Sequence, residues 1–163
     1  MFTGHVRQLL AAGTLTFALV VAACGGAPAR STSGGSATAS PASPALIKTA
    51  SKSVGGKSQT ILVDSKGITL YYYTPDRGGK VTCTAKCAQA WPPLRLSSGT
   101  TPTGGSGVTG RLGMVNNPEG GSQVTYNGWP LYYFAKDKDA EDTYGQGVGG
   151  NWFVVPPNLP AAS

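Results

Sequence analysis

Few residues in this 163-residue chain have the type and spacing to do chemistry. Cys83 and Cys87 form a C-x3-C pair, a spacing open to a small disulfide loop, a thiol redox pair or a copper-carrying dithiol. Asp76 and Asp137 stand 61 residues apart and could act as two carboxylates in glycoside hydrolysis if the fold set them face to face. The run DKDAED (Asp137, Asp139, Glu141, Asp142) alternates carboxylates as calcium ligands do. It lacks the glycine and terminal glutamate of an EF-hand, and Lys136 and Lys138 interleave, so a solvated loop is expected. Gly145-Gln-Gly147-Val-Gly-Gly150 fits G-x-G-x-x-G. A phosphate-binding turn of that kind needs a helix after it, whereas Asn151 to Val155 reads as a strand, so a glycine loop beside Trp152 is expected instead.

What is missing narrows the chemistry further. The sole histidine, His5, lies in the N-terminal leader, so the rest of the chain can build no Ser-His-Asp triad, no imidazole base and no ordinary catalytic zinc site. No Ser-x-x-Lys offers a substitute dyad. The residues therefore point away from an enzyme, and no metal or cofactor is expected.

The elements that position these residues begin after a targeting segment. Residues 1–23 carry His5 and Arg7 and then an apolar run from Leu9 to Ala23, too short for comfortable bilayer crossing. The run ends in Val21-Ala22-Ala23-Cys24, the pattern of a lipobox in which Cys24 receives lipid, so the mature chain is expected to be tethered at the extracytoplasmic face of the membrane. Residues 24–58 are assigned to the lipidated cysteine and linker. Its tract from Gly25 to Ala45 is Gly, Ser, Pro and Ala with almost no larger aliphatic side chain, a flexible spacer by composition. Residues 46 to 58 are mixed and could supply a first ordered strand. With Cys24 lipidated, Cys83 and Cys87 remain as an even pair outside the membrane, where oxidation to a disulfide is the default. Twelve of the thirteen basic residues and all seven acids remain after the leader, a net charge of +5. That excess is scattered, which suits nearness to anionic lipid or envelope polymer and does not form a nucleic-acid stripe.

The globular part is expected over 59–157, with a tail at 158–163. LYYYTPD (Leu70 to Asp76) returns as LYYFAKD (Leu131 to Asp137), and fifteen residues beyond each aspartate stands a tryptophan, Trp91 and Trp152. Laid over itself at this offset, Val63–Pro93 matches Val124–Val154 without a gap and with eight identities, Val63/Val124 among them. The chain is a tandem repeat, with repeat one at 59–93, a connecting segment at 94–121 and repeat two at 122–157. Each repeat reads as a β-hairpin. Asn127-Gly128 between β-rich runs is a strong hairpin signal, and Gly67 occupies the corresponding turn of repeat one. Further strands are expected near Arg111–Val115 and Asn151–Val155, and one helical turn over Thr84–Ala90 ahead of Pro92-Pro93. The fold class is therefore mostly β, a small antiparallel domain of two hairpin-based repeats. Tyr71 and Tyr73, and Tyr132 and Phe134, share strand faces that could pack in a core or line a groove. Asp76 and Asp137 fall just past the strands, where a carboxylate readily caps turn amides.

Tyr71-x-Tyr73-x-x-Asp76 and Tyr132-x-Phe134-x-x-Asp137, with the C-x3-C and the Trp91-Pro-Pro segment, resemble the bacterial secreted-repeat lipoproteins, a family marked by a tandem Y-x-(F/W/Y)-x-x-D motif. The resemblance covers about Gln59 to Pro157, and the lipobox agrees with it. It implies a predicted lipoprotein whose repeat has no established biochemical activity. Repeat two has Tyr144 and Val148 where Cys83 and Cys87 stand, so the cysteines are not part of the shared scaffold. The expected function is a lipid-anchored binding or envelope-structural module, whose partner is an anionic envelope polymer or another envelope protein. The alternative is a redox or electron-transfer accessory protein that uses Cys83/Cys87, the tyrosines or a bound cofactor.

Overall fold

The computed structural model describes residues 46–97 and 99–163. The leader, Cys24 and the Gly/Ser/Pro/Ala tract lie outside the described residues. Strands β1 (Ile47–Val54) and β2 (Lys57–Asp64) form an antiparallel hairpin with Ile47 opposite Asp64 and Val54 opposite Lys57. Residues 46–58, grouped by composition with the linker, thus form β1 and the start of β2. Lys52 and Val54 are buried on one face of β1 and Ile47 on the other, and Ile47 and Val54 pack in different apolar clusters. After β2 come β3 (Tyr71–Tyr73), a 3-10 turn at Thr74–Asp76 and the short helix α1 (Lys86–Ala90). Strands β4 (Leu112–Asn116), β5 (Ser122–Tyr126) and β6 (Trp129–Pro130) follow in an antiparallel sheet of that order. A second 3-10 turn at Val148–Gly150 leads into β7 (Trp152–Val154). The protein is mostly antiparallel β with little helix, and no described helix is long and apolar enough to cross a membrane.

The two hairpins are the repeat, but not in gapless register. In repeat two, Tyr126 pairs with Trp129 across Asn127-Gly128, both at positive φ (49° and 88°), as a two-residue hairpin turn requires. In repeat one, Asp64 N–H donates to Ile68 C=O and Val63 pairs with Thr69, leaving three residues in the turn. Asp64 Oδ1 accepts from the N–H groups of Lys66 and Ile68 and so fills the wider turn. Upstream of the turns, Leu62 therefore corresponds to Val124, and the Val63/Val124 match is displaced by one residue. Leu62 and Val124 are both fully buried in the same apolar cluster.

The termini of the repeats are exchanged. β7, which ends repeat two, pairs with β3 of repeat one, Tyr73 opposite Trp152 and Tyr71 opposite Val154. The segment that ends repeat one lies along repeat two in the same way. Tyr133 N–H donates to Pro92 C=O, Ala135 N–H to Ala90 C=O, and Pro93 bridges Tyr132. Pro92 and Pro93 have no N–H to donate, which is why only β7 appears as a regular ladder. Each hairpin is closed by the same three backbone bonds. Leu62 N–H to Val155 C=O, Leu70 to Leu62 and Val155 to Leu70 measure 2.8, 3.2 and 3.0 Å. Val124 to Leu94, Leu131 to Val124 and Leu94 to Leu131 measure 2.8, 2.9 and 2.9 Å. Between the hairpins, Tyr71 and Tyr132 exchange both backbone bonds at 2.9 Å.

The segment assigned as a tail is packed as well. Leu159 is buried, Trp129 Nε1–H donates to Pro160 C=O, and Asn127 Nδ2–H donates to Leu159 C=O.

Candidate functional site

The pairing of Tyr71 with Tyr132 sends both phenols into one apolar cluster, together with Trp91, Phe134, Trp152 and Cys83. Each phenol crosses to the other repeat. Tyr71 O–H donates to Asp137 Oδ2 and Tyr132 O–H donates to Asp76 Oδ2, both at 2.6 Å. The second oxygen of each carboxylate faces its own repeat: Asp76 Oδ1 accepts from Thr82 N–H (2.8 Å) and Thr82 O–H, and Asp137 Oδ1 from Tyr144 N–H (3.1 Å). Asp76, Tyr71 and Tyr132 have no exposed surface. A buried carboxylate persists only where donors meet its lone pairs, and here the donors come from both repeats.

Burial sets the proton affinities. It raises Asp76 above the usual carboxylate range, against the opposing pull of the Thr82 and Tyr132 hydrogen bonds. It raises Asp137 in the same way, opposed mainly by Tyr71 and the Tyr144 N–H. Burial, and then the adjoining carboxylates, push the phenols of Tyr71 and Tyr132 far up. The phenol protons therefore stay on oxygen at neutral pH, each shared with a carboxylate.

The tryptophans complete the core. Their rings stack with centroids 3.8 Å apart and planes parallel. Tyr71 meets Trp91 edge-on at 5.4 Å, and Tyr132 meets Trp152 edge-on at 5.2 Å. The middle motif residue crosses over: Tyr73 stacks on Trp152 at 4.2 Å, and Phe134 on Trp91 at 4.3 Å. The result is a four-ring column, Phe134–Trp91–Trp152–Tyr73. Every position of Y-x-(F/W/Y)-x-x-D thus has a geometric task. The tyrosine reaches the other repeat's aspartate, the aromatic covers the other repeat's tryptophan, and the aspartate receives the other repeat's phenol. Gly145 belongs to the same construction. Its N–H donates to Tyr71 oxygen, and a Cβ there would lie 2.7 Å from the Tyr71 ring and 2.9 Å from Trp91. Beyond Gly145 the glycine run is an exposed loop whose Gly147 N–H donates to Trp152 C=O, and a strand, not a helix, follows it.

The remaining candidates lie around this core. Cys83 and Cys87 are joined by a disulfide, which closes over the turn Thr84–Cys87 (Cys87 N–H to Thr84 C=O, 3.0 Å). At the equivalent place in repeat two, Tyr144 and Val148 are exposed instead. Three of the DKDAED carboxylates, Asp137, Glu141 and Asp142, act on a cation that composition alone does not single out, Lys52. Lys52 is buried and donates from Nζ to Gly67 C=O (2.7 Å) and Thr69 Oγ1 (2.9 Å). Burial lowers its pKa, while Glu141, Asp137, Asp64 and Asp142 pull it back up. Among the described residues no three His, Cys, Asp or Glu side chains gather as a metal site. The only hint of Lys52 in the sequence was its place in the alternation of β1. Tyr133 is half-buried and donates to Asp64 Oδ2 at 3.2 Å, another contact between repeats that spacing alone did not reveal.

No curated protein and no solved structure matches this chain. A family model described as a secreted repeat of unknown function matches residues 52–95 and again 113–156, two segments set 61 residues apart that together take in more than half of the chain. Both matches contain a complete tyrosine–aromatic–aspartate motif and its tryptophan, the residues that interlock in the core. The chain belongs to the secreted-repeat family of unknown function.

Proposed function

We propose that this protein is a lipid-anchored, non-enzymatic module at the extracytoplasmic face of the membrane. In this reading its repeat motif locks the fold and its outer surface meets the partner, an anionic envelope polymer or another envelope protein. One observation carries the reading: the two motif tyrosines and the two motif aspartates are buried and matched to one another, Tyr71 to Asp137 and Tyr132 to Asp76. The secreted character of the family supports an extracytoplasmic location, and the lipobox ending in Cys24 supports the anchor.

The anchor is tested by growing producing cells with a clickable fatty-acid analogue and fractionating them. The wild-type chain should carry the tag and sediment with membranes, and Cys24→Ala should lose both properties. A Cys24→Ala chain that remains tagged would sink the lipoprotein assignment.

A second reading, a thiol redox accessory, rests on the Cys83–Cys87 bond. Free, readily alkylated thiols in freshly isolated protein would favour it; a domain two hydrogens lighter than the dithiol favours a structural bridge.

A further inference from the structure

The column Phe134–Trp91–Trp152–Tyr73 holds three neighbouring centroid separations of 4.3, 3.8 and 4.2 Å. Three of these rings, the two indoles and the Tyr73 phenol, are oxidisable, and their near face-to-face contact is more than apolar burial requires, since aromatic pairs prefer offset or edge-on packing. The column has an outlet, because Tyr73 is half-buried whereas Trp91, Trp152 and Phe134 are buried. Branching from its two indoles are Tyr71 and Tyr132, each edge-on to a tryptophan and each 2.6 Å from a carboxylate oxygen.

That combination supplies what one-electron oxidation of a phenol needs. Phenol loses its electron readily only if its proton leaves too, because the oxidised phenol is a strong acid. Asp137 and Asp76 are placed to take that proton along an existing hydrogen bond, with no water needed in the core. Among the described residues no carboxylate accepts from the Tyr73 phenol.

We infer that the crossed core is a radical relay: an oxidant of the extracytoplasmic space, a high-valent metal centre or an oxygen-derived radical, draws one electron through Tyr73 and the stacked tryptophans from Tyr71 or Tyr132. The oxidant gains one electron. The phenol O–H bond breaks, and its proton forms a bond to the facing aspartate. The chain is left with a neutral tyrosyl radical beside a carboxylic acid. A one-electron donor such as a thiol or an enediol restores the phenol, and the aspartate returns the proton. This activity goes beyond that of a tethered module and does not depend on whether Cys24 carries lipid.

The test uses the purified chain carrying Tyr144→Phe, which removes the most exposed tyrosine as a site of direct oxidation. Tris(bipyridyl)ruthenium(II), flash-quenched with a cobalt(III) ammine, supplies the oxidant. Transient absorption and freeze-quench electron paramagnetic resonance identify the radical. A tryptophanyl signal should convert into a tyrosyl signal. Adding Tyr71→Phe and Tyr132→Phe, which keep the rings, should abolish the tyrosyl signal and leave the hole on indole. Asp76→Asn with Asp137→Asn should slow the conversion and remove its solvent deuterium effect. Near-ultraviolet circular dichroism checks packing, and if a double variant fails to fold, each single variant should still lose part of the yield. An undiminished tyrosyl yield without the two phenols, or no tryptophan-to-tyrosine conversion in the Tyr144→Phe chain, overturns the relay.

Discussion

Trp91 from the end of repeat one lies flat against Trp152 from the end of repeat two, their planes parallel and their centroids 3.8 Å apart. Each also carries one motif ring stacked on its other face and one phenol edge-on. Removing either indole takes a partner from both repeats at once. Trp91→Ala or Trp152→Ala should cost about 3–5 kcal/mol, a large share of the roughly 5–15 kcal/mol available to a small domain. Urea denaturation followed by circular dichroism checks this, and a midpoint unchanged in either variant would contradict the packing.

The exchange of partners predicts which pairs are coupled. Tyr71→Phe leaves one lone pair of the buried Asp137 unmet and should cost about 1.5–3 kcal/mol, as for hydrogen bonds to charged groups. In double-mutant cycles, Tyr71→Phe with Asp137→Asn should show coupling of at least about 0.5 kcal/mol. Tyr71→Phe with Asp76→Asn, the pair within one sequence motif, should show clearly less. The reverse order would mean that each motif closes on itself.

Stability should rise on mild acidification. Burial holds Asp76 and Asp137 above the ordinary carboxylate value, about 3.9 in unfolded chains. Between that value and the raised folded one, the folded chain binds more protons than the unfolded chain. The contribution of these two groups is therefore lost as pH rises through the window and regained as pH falls through it. Asp142, held low by the N–H groups of Asp139 and Lys138, titrates below the window. The urea midpoint should be higher near about pH 5 than near about pH 7, and Asp76→Asn should flatten the difference. At the alkaline end, burial raises the phenols of Tyr71, Tyr132 and Tyr133, so stability should fall above about pH 10, where unfolded tyrosine ionises.

The disulfide turn carries strain that a single change should relieve. Ala85 sits at φ 53° and ψ −119° in the turn closed by Cys87 N–H to Thr84 C=O, a first central position that favours glycine. Its own N–H is held by Glu119 Oε1. Ala85→Gly should raise stability by about 1 kcal/mol. Cys83→Ser with Cys87→Ser should lower it by about 2 kcal/mol, the chain-entropy value for so short a loop. Thermal melts of the two variants beside the wild type decide both, and a destabilised Ala85→Gly chain would mean that the turn is not strained.

Local chemistry was legible in the sequence because it repeats and because turns have strict demands. Asn127-Gly128 marked its hairpin since both residues accept positive φ, and the equal spacing from Asp76 to Trp91 and from Asp137 to Trp152 marked two copies of one unit. Strand positions near Leu112–Asn116 and Trp152–Val154 and the helical turn before Trp91 followed from the same local rules, whereas the Cys83–Cys87 bridge followed from the even pair of cysteines expected outside the membrane. The sequence could not say which copy serves which. Tyr71 has a chemically identical aspartate at Asp76 and at Asp137, so no propensity or period separates closing on itself from crossing over. Tertiary structure decided this, because a short hairpin cannot cover both faces of its aromatic strand alone, and the returning ends at Pro92-Pro93 and β7 can cover only the neighbouring hairpin. The one-residue shift between turns stayed hidden for a related reason: Val63 and Val124 match as letters, whereas backbone pairing matches Leu62 with Val124. Lys52, too, came under the charge of the 137–142 loop only when the fold brought that loop near β1, since Asp137, Glu141 and Asp142 lie more than eighty residues away in the chain.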